Sequence, residues 1–319
     1  MNILVTGRAG FIGFHLCNSL TKKKNVKVYG IDNINDYYST KLKKKRLYIL
    51  QKNKNFLFHK IDISNYKKLD KIFSRVKFYT VINLAAQAGV RYSLVNPIEY
   101  VSSNTLGFSN ILDLSKKYNI KKLFYASSSS VYGEQKGFPI SENRKLFPKN
   151  VYSLTKKNNE EIAKIYSEQF GLKSMGFRFF TVYGEWGRPD MLMIKYMLAK
   201  FNKSAFTINN KGNHYRDFTY IDDVINIIDK IIFSKLSKKH DVINICSNNP
   251  ISVNYILNQI NILFGKPKIK FHKKLKIEVF KTHGSNLKLR KLTGFKKFTD
   301  IKTGLYRLTE WSKKNLRKI

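Results

Sequence analysis

A tyrosine and a lysine four residues apart, Tyr152 and Lys156, follow a run of four serines, Ser127 to Ser130. On a helix, positions i and i+4 share a face. An ammonium beside a phenol favours the phenolate, and a phenolate can act as a general base toward an alcohol. The spacing alone says little, because Tyr37/Lys41, Tyr48/Lys52, Tyr118/Lys122 and Tyr196/Lys200 repeat it. Context separates Tyr152 from these. It opens a helical pattern that follows a strand-like run ending in Ala126-Ser127-Ser128-Ser129-Ser130-Val131-Tyr132-Gly133. A hydroxyl at a strand's C-terminus, with Tyr and Lys on the next helix, makes Ser128, Tyr152 and Lys156 the candidate catalytic group.

A second group lies at the N-terminus, Thr6-Gly7-Arg8-Ala9-Gly10-Phe11-Ile12-Gly13. It follows a strand-like run and opens a helix, the context that a dinucleotide fingerprint requires. Gly7 permits a tight turn, Gly10 lets backbone approach a pyrophosphate at a helix N-terminus, and Gly13 allows close helix–strand packing. Phe11 and Ile12 complete the candidate cradle. Asp32 stands 19 residues past Gly13, at the end of the second strand-like run. A carboxylate there suits an adenosine ribose and repels a 2′-phosphate, so NAD is expected rather than NADP. Asp62-Ile63 and Leu84-Ala85-Ala86-Gln87 end later strand-like runs, where ligands bind in open α/β sheets. Together with the Ser/Tyr/Lys group, these residues place a redox site over a nicotinamide.

Alternation in the first half supplies the scaffold. Strand-like runs at 3–6, 26–31, 56–61, 80–84, 122–127 and 174–179 separate helical patterns near 11–21, 39–52, 65–75, 97–118 and 151–170. Such alternation predicts right-handed crossovers and a doubly wound parallel sheet, an α/β fold. From about residue 185 it weakens into helical stretches near 190–201, 221–234, 252–264 and 301–315, read as a smaller C-terminal lobe. The expected division is a cofactor domain over 1–184 and a substrate lobe over 185–319, packed closely because no Pro/Gly-rich linker separates them.

Composition bounds the rest. No apolar run of about 18 residues appears and no signal peptide opens the chain, so no membrane span is predicted and a cytoplasmic location is expected. Cys17 and Cys246 read as lone core thiols, not as a disulfide or metal framework. The formal charge is +39, with 60 Lys and Arg against 21 Asp and Glu. Its lysines are dispersed, as at Lys22 to Lys24 and Lys43 to Lys45, rather than gathered in a stripe with aromatics. A dedicated nucleic-acid site is therefore not expected, and a basic protein with an idle enzyme fold is the rival reading.

Several stretches carry a resemblance: Asp32-Asn33 with Asn35-Asp36-Tyr37-Tyr38, Leu84 to Ser93, Tyr125 to Gly133, Arg178 to Met191 and Arg216 to Asp223. They resemble the extended short-chain dehydrogenase/reductases, and more narrowly bacterial UDP-glucuronate 4-epimerases. The resemblance implies a Rossmann-like NAD domain with a smaller α/β sugar-nucleotide lobe, and a homodimer through the helices near 97–118 and 151–170. It extends the cofactor set to Asn33, Asn104, Phe179 and Val182. Arg91, Ser128, Ser129, Ser130, Thr181, Arg188 and Arg216 become the candidate substrate residues. The implied reaction is transient oxidation at the sugar C4 of a UDP-sugar, with Tyr152 as base.

Ser129-Ser130 stand where a 4,6-dehydratase of this superfamily carries an Asp-Glu pair, and they cannot do its proton transfers. UDP-glucose or UDP-N-acetylglucosamine 4-epimerisation and UDP-glucuronate decarboxylation remain open beside UDP-glucuronate 4-epimerisation. Two departures stand out. Arg8 replaces a small residue and is expected beside a pyrophosphate. The stretch Lys276 to Leu289 lacks the Gly-Asp and Ala-Asp pairs of the family, with Glu278, Val279, Thr282 and Asn286 as approximate occupants.

Overall fold

Short β-branched and aromatic runs form the centre of the molecule. The structure, a computed structural model, describes residues 1–273 and 278–318. Its strands are β1 (Asn2–Thr6), β2 (Lys27–Asp32), β3 (Phe56–Lys60), β4 (Thr80–Asn83), β5 (Lys122–Ser128), β6 (Ser174–Phe179), β7 (Thr181–Tyr183), β8 (Ala205–Asn209), β9 (Tyr215–Tyr220), β10 (His240–Ile245), β11 (Pro250–Ser252) and β12 (Lys268–His272). Seven of them make one parallel sheet in the order β10-β6-β5-β4-β1-β2-β3. The order reverses at β1, which lies between β2 and β4, so a crevice opens at the C-termini of β1 and β4.

Helices α1 (Phe11–Leu20), α2 (Thr40–Gln51), α3 (Tyr66–Arg75), α4 (Pro97–Tyr100), α5 (Gly107–Lys117) and α6 (Val151–Phe170) connect these strands. Two apolar cores result. One packs α1 with the helices over 221–233 and 253–264, and the other packs α3 and α5 with β4 and β5. Such two-sided burial is why the strands read as near-continuous apolar runs.

The predicted strands of the first half all form. The helix expected over 97–118 is not uniform: residues 101–106 are a π-helix between α4 and α5. Beyond residue 179 the sequence signal missed six short strands. β11, β9 and β7 make a second sheet, β12 pairs β8, and β10 returns to the edge of the large sheet beside β6. The polar start of β10, His240-Asp241, hid it from an apolar-run criterion.

Local chemistry fixes where α6 begins. Asn150 accepts from the Ser153 amide at 2.9 Å while the Ser153 hydroxyl accepts from the Asn150 amide at 3.2 Å, a reciprocal cap. Tyr152 is thereby set in the first turn and Lys156 one turn later. The same helix carries Glu160, which accepts from the Arg178 guanidinium at 2.9 Å and 2.6 Å and from the Ser127 hydroxyl. Both side chains of this ion pair are 5% exposed. Glu160→Gln is expected to lower unfolding free energy by about 3–5 kcal/mol, because it leaves Arg178 buried without its counter-charge. Glu160→Gln with Arg178→Met should recover most of the loss. Chemical denaturation of the three variants measures it, and equal loss in single and double variants would refute this account.

Candidate active site

The first turn after β1 approaches the exit of β4 so closely that side chains are excluded. Gly7 has φ +68°, and a Cβ there would stand 2.5 Å from the Ala85 amide nitrogen. A Cβ at Gly13 would stand 2.3 Å from the Gly7 carbonyl oxygen, so α1 can pack directly on the turn only with glycine there. The result is one continuous cleft. Its walls include Gly7, Gly10, Phe11, Ile12, Gly13, Asp32, Asn33, Asp62, Ile63, Leu84, Ala85, Ala86, Gln87, Phe179 and Val182, together with Ser128, Tyr152, Lys156 and Arg188. Residues separated by most of a domain in sequence thus share one lining.

At the β2 end, Asp32 accepts from the Ala9 amide and the Ile34 amide, each at 2.8 Å. It therefore braces the glycine-rich turn as well as facing the cleft. Asn33 donates to Asp62 at 2.7 Å. Burial alone would raise the Asp62 pKa, but bonds from Ser64 and Asn33 outweigh it and hold the carboxyl below its usual value. Bare backbone at the turn, a carboxylate at the end of β2 and small residues at Ala85 and Ala86 fit a dinucleotide. Asn104 is placed behind the lining. Its side chain accepts from the Gln87 amide at 2.7 Å and donates to the Gln87 carbonyl and to the Thr155 hydroxyl, each at 3.1 Å. The π-helical stretch thus ties the β4 exit to α6.

Arg8 does not stand beside the pyrophosphate position as expected. It is fully buried and crosses β2 where Gly30 leaves room, a Cβ there meeting the Arg8 Cγ at 2.9 Å. Its guanidinium lies 3.9 Å from the Phe58 ring centroid. Ring faces attract the cation. Burial pushes its pKa down to about 10, against the opposing pull of Asp32.

At the other end of the cleft, burial holds the Tyr152 pKa above the usual phenol value, and a hydrogen bond with Ser128 and the charge of Arg188 oppose that rise without cancelling it. The Lys156 ammonium donates to the Ala126 carbonyl at 2.8 Å, and burial lowers its pKa to about 8 against the pull of Glu160. In this structure the cation felt by the phenol is Arg188, which sequence spacing did not suggest. Ser130 donates to the Ser128 oxygen at 2.9 Å, orienting that hydroxyl. Ser129, half-buried, follows on the same turn. Such an arrangement can deprotonate an alcohol while a second hydroxyl bonds the same oxygen.

The remaining substrate candidates scatter. Arg188 pairs bidentately with Asp190, its Nε at 3.0 Å from one oxygen, and Tyr37 donates to the other at 3.1 Å. Thr181 lines a small cavity that shares Phe11, Val182, Arg188 and Met191 with the cleft. Arg91 and Arg216 lie outside the cleft lining. Arg91 pairs with Glu278, which also accepts from Asn209 at 2.9 Å. Arg216 donates to the carbonyls of Tyr215, Val279 and Phe280 at 2.8–3.1 Å. Of the departing stretch from Lys276 to Leu289, Lys276 and Ile277 lie outside the described residues. The Thr282 hydroxyl accepts from the Asp217 amide at 3.2 Å, and Asn286 donates to the Ser247 carbonyl at 2.9 Å. Sequence reasoning missed Lys43 and Arg46, hidden in a lysine-rich helix, and Asp190.

Asp32→Ala removes the acceptor of two amides and the carboxylate that ends β2. A hydrogen bond to a charged group contributes about 1.5–3 kcal/mol, so NAD affinity should fall by at least about tenfold, and NADP affinity by less. Titration of both dinucleotides measures the ratio; an unchanged NAD affinity would remove Asp32 from the cofactor site.

Residues 3–246 match the family described as NAD dependent epimerase/dehydratase. Among similar proteins, Protein CapI of Staphylococcus aureus is 41% identical over 98% of this chain and 98% of its own length. A UDP-glucuronate 4-epimerase of Thermodesulfobacterium geofontis is 40% identical, over 99% and 97%. The crystal structure of UDP-glucuronic acid 4-epimerase from Bacillus cereus, in complex with UDP-glucuronic acid and NAD, superposes with a TM-score of 0.93 at 32% identity, covering 98% of this chain and 99% of that one. With a doubly wound sheet, a glycine cradle and a Ser/Tyr/Lys group in one cleft, the chain belongs to the NAD-dependent epimerase/dehydratase family.

Proposed function

We propose that the protein interconverts UDP-glucuronate and UDP-galacturonate. The observation that carries this reading is the convergence of Arg188, Ser128 and Tyr152 in the lining of the cleft, a cation and hydroxyl donors beside the base. A sugar carboxylate buried without partners would cost several kcal/mol, and a neutral sugar needs no such donors. Relatives at about 40% identity that bear the name UDP-glucuronate 4-epimerase support the reading.

Tyr152 acts as base toward the C4 hydroxyl, and Ser128 donates to the same oxygen. Arg188 is the cation that favours loss of the phenol proton, and Lys156, one helical turn on, is proposed to add to it when it turns from the Ala126 carbonyl. Gly7, Gly10 and Gly13 give the diphosphate of NAD bare backbone, and Asp32 takes its ribose. NAD, when bound, supplies the reversible two-electron oxidation at C4. The keto sugar must then turn within the cleft. Arg216 and Arg188 are proposed to keep the anionic end of the nucleotide sugar held meanwhile, and Ser129, Ser130 and Thr181 to seat the C6 carboxylate. For Arg216 this requires exchanging some of its carbonyl partners. A 4-keto glucuronate is a β-keto acid, so firm seating of its carboxylate also opposes loss of CO2.

Incubation with UDP-glucuronate, UDP-glucose and their N-acetylhexosamine counterparts, with products identified by NMR, tests this. UDP-galacturonate from the first substrate, without added NADH, is expected, and Tyr152→Phe should slow it at least about a hundredfold while leaving bound NAD in place. Efficient UDP-galactose formation with UDP-glucuronate inert, or a UDP-pentose as main product, would overturn it.

Assembly is proposed to be a cytoplasmic homodimer through the helices over 97–117 and 151–170, with residues 1–184 as the cofactor domain and 185–319 as the substrate lobe. Val95 and Ile98 are 77% and 74% exposed, and Leu106 and Leu154 are also exposed, an apolar grouping that a second copy would cover. Light scattering should give twice the 37.3 kDa chain mass, and Ile98→Glu with Leu154→Glu should give the single mass. A monomeric parent protein would refute it.

A further inference from the structure

Arg46 has no role in the chemistry above, yet it is fully buried and placed between two functional loops. It projects from α2. One terminal nitrogen donates to the Ala9 carbonyl at 2.6 Å and to the Tyr38 hydroxyl at 2.8 Å. The other donates to the Trp186 carbonyl and, at 3.1 Å, to the Gly187 carbonyl. Ala9 lies between Gly7 and Gly10, in the turn that cradles the dinucleotide. Trp186 and Gly187 immediately precede Arg188, the cation beside Tyr152. A single planar side chain therefore bridges the cofactor loop and the loop that presents the substrate arginine.

Two further observations make this more than packing. Trp186 has φ +58°, a left-handed conformation that bulky residues seldom adopt, at a cost of about 1–3 kcal/mol. Its ring is wedged between Phe14 and Trp311, at 5.4 Å and 5.3 Å, and its carbonyl is taken by Arg46. The strained turn that aims Arg188 is thus held from α2 as well as from its own rings. Arg46 also has no carboxylate within ion-pair distance among the described residues. Three carbonyl oxygens and the Tyr38 hydroxyl hold a buried charge here, so the cost of that burial is tolerated for the geometry it fixes. A lysine could not replace it, because a point-like ammonium cannot reach two loops in one plane.

We propose that Arg46 is a positioning residue that couples dinucleotide binding to substrate binding, by locking the Ala9 turn and the Trp186–Gly187 turn into one register. Filling the cradle fixes the Ala9 carbonyl, which fixes the guanidinium, which fixes the backbone ahead of Arg188. Reciprocity requires the converse: substrate on Arg188 tightens the dinucleotide by the same factor. The proposal rests on the reading that Arg188 contacts the nucleotide sugar.

NADH forms no product with UDP-glucuronate, so both ligands can be titrated together. Fluorescence titration of NAD-depleted protein with NADH, alone and with saturating UDP-glucuronate, gives the coupling factor. In the parent protein it should be on the order of tenfold. In Arg46→Lys it should fall toward one, and KM for UDP-glucuronate should rise about tenfold more than kcat falls. In an Arg188→Ala background, Arg46→Lys should add no further rise in KM. Arg46→Met, of similar length, provides a second variant if the lysine destabilises the fold. A merely structural Arg46 would lower the melting temperature and leave the coupling factor at the parent value, and that result in both variants would overturn the proposal. Arg188→Ala with parent KM would instead remove Arg188 from the substrate site, while the coupling factor still decides Arg46.

Discussion

The contact between the β1 turn and the β4 exit is the constraint on which the rest depends. No side chain fits between Gly7 and Ala85. Around that contact Thr6 donates to the Asn83 side chain at 2.6 Å and accepts from the Ala85 amide at 3.1 Å, locking the two strand ends together. Because β1 lies at the reversal of strand order, the same contact defines the floor of the cleft. Asp32 and Asn104 then brace the two walls from opposite sides, one through the Ala9 amide and the other through Gln87. Helix α6 is joined to this frame through Thr155, one residue before Lys156.

Electrostatics follow from what this frame buries. Arg8, Lys43, Arg46 and Lys156 are all buried, and Lys43 and Arg188 border the same cleft. Burial pushes Lys43 down to about 8, opposed by the pull of Asp32. A cleft bordered by Lys43 and Lys156, neither in an ion pair among the described residues, favours anionic ligands, and both a dinucleotide and a UDP-sugar carry a diphosphate. The overall charge of +39 acts at longer range and is screened by salt. Arg46 and Lys156 are buried with directional partners, the carbonyls of Ala9 and Gly187 for the first and of Ala126 for the second.

The parts legible in the sequence are those where one local rule decides. Apolar runs gave the inner strands, glycine spacing located the cradle, and the position of Tyr152 after a strand separated it from its decoys. The C-terminal strands were not legible because β7 and β11 are three residues long and β10 begins with polar residues. Arg46 was lost among Lys41, Lys43, Lys44 and Lys45, since composition cannot show which cation turns inward. Arg8 failed for a related reason. Its neighbourhood in sequence suggests phosphate, but Gly30 and Phe58, distant in the chain, give its stem and guanidinium a path across β2.

The Arg188–Asp190 pair shows why an internal carboxylate suits this site. The charge of Arg188 lowers the Tyr152 pKa, yet a half-buried guanidinium with no counter-charge would itself be unfavourable. Asp190 removes that difficulty, and its own carboxyl, which burial would raise, is held low by Arg188 and Tyr37. On the proposed reading, a sugar carboxylate at Arg188 would exchange with one already present rather than create a new pair, so the net electrostatic gain is small and the geometry decides. Discrimination on that reading would reside in whether the backbone ahead of Arg188 presents both donors in the plane of the incoming group. That backbone is the turn at Trp186 and Gly187, whose carbonyls are held by Arg46.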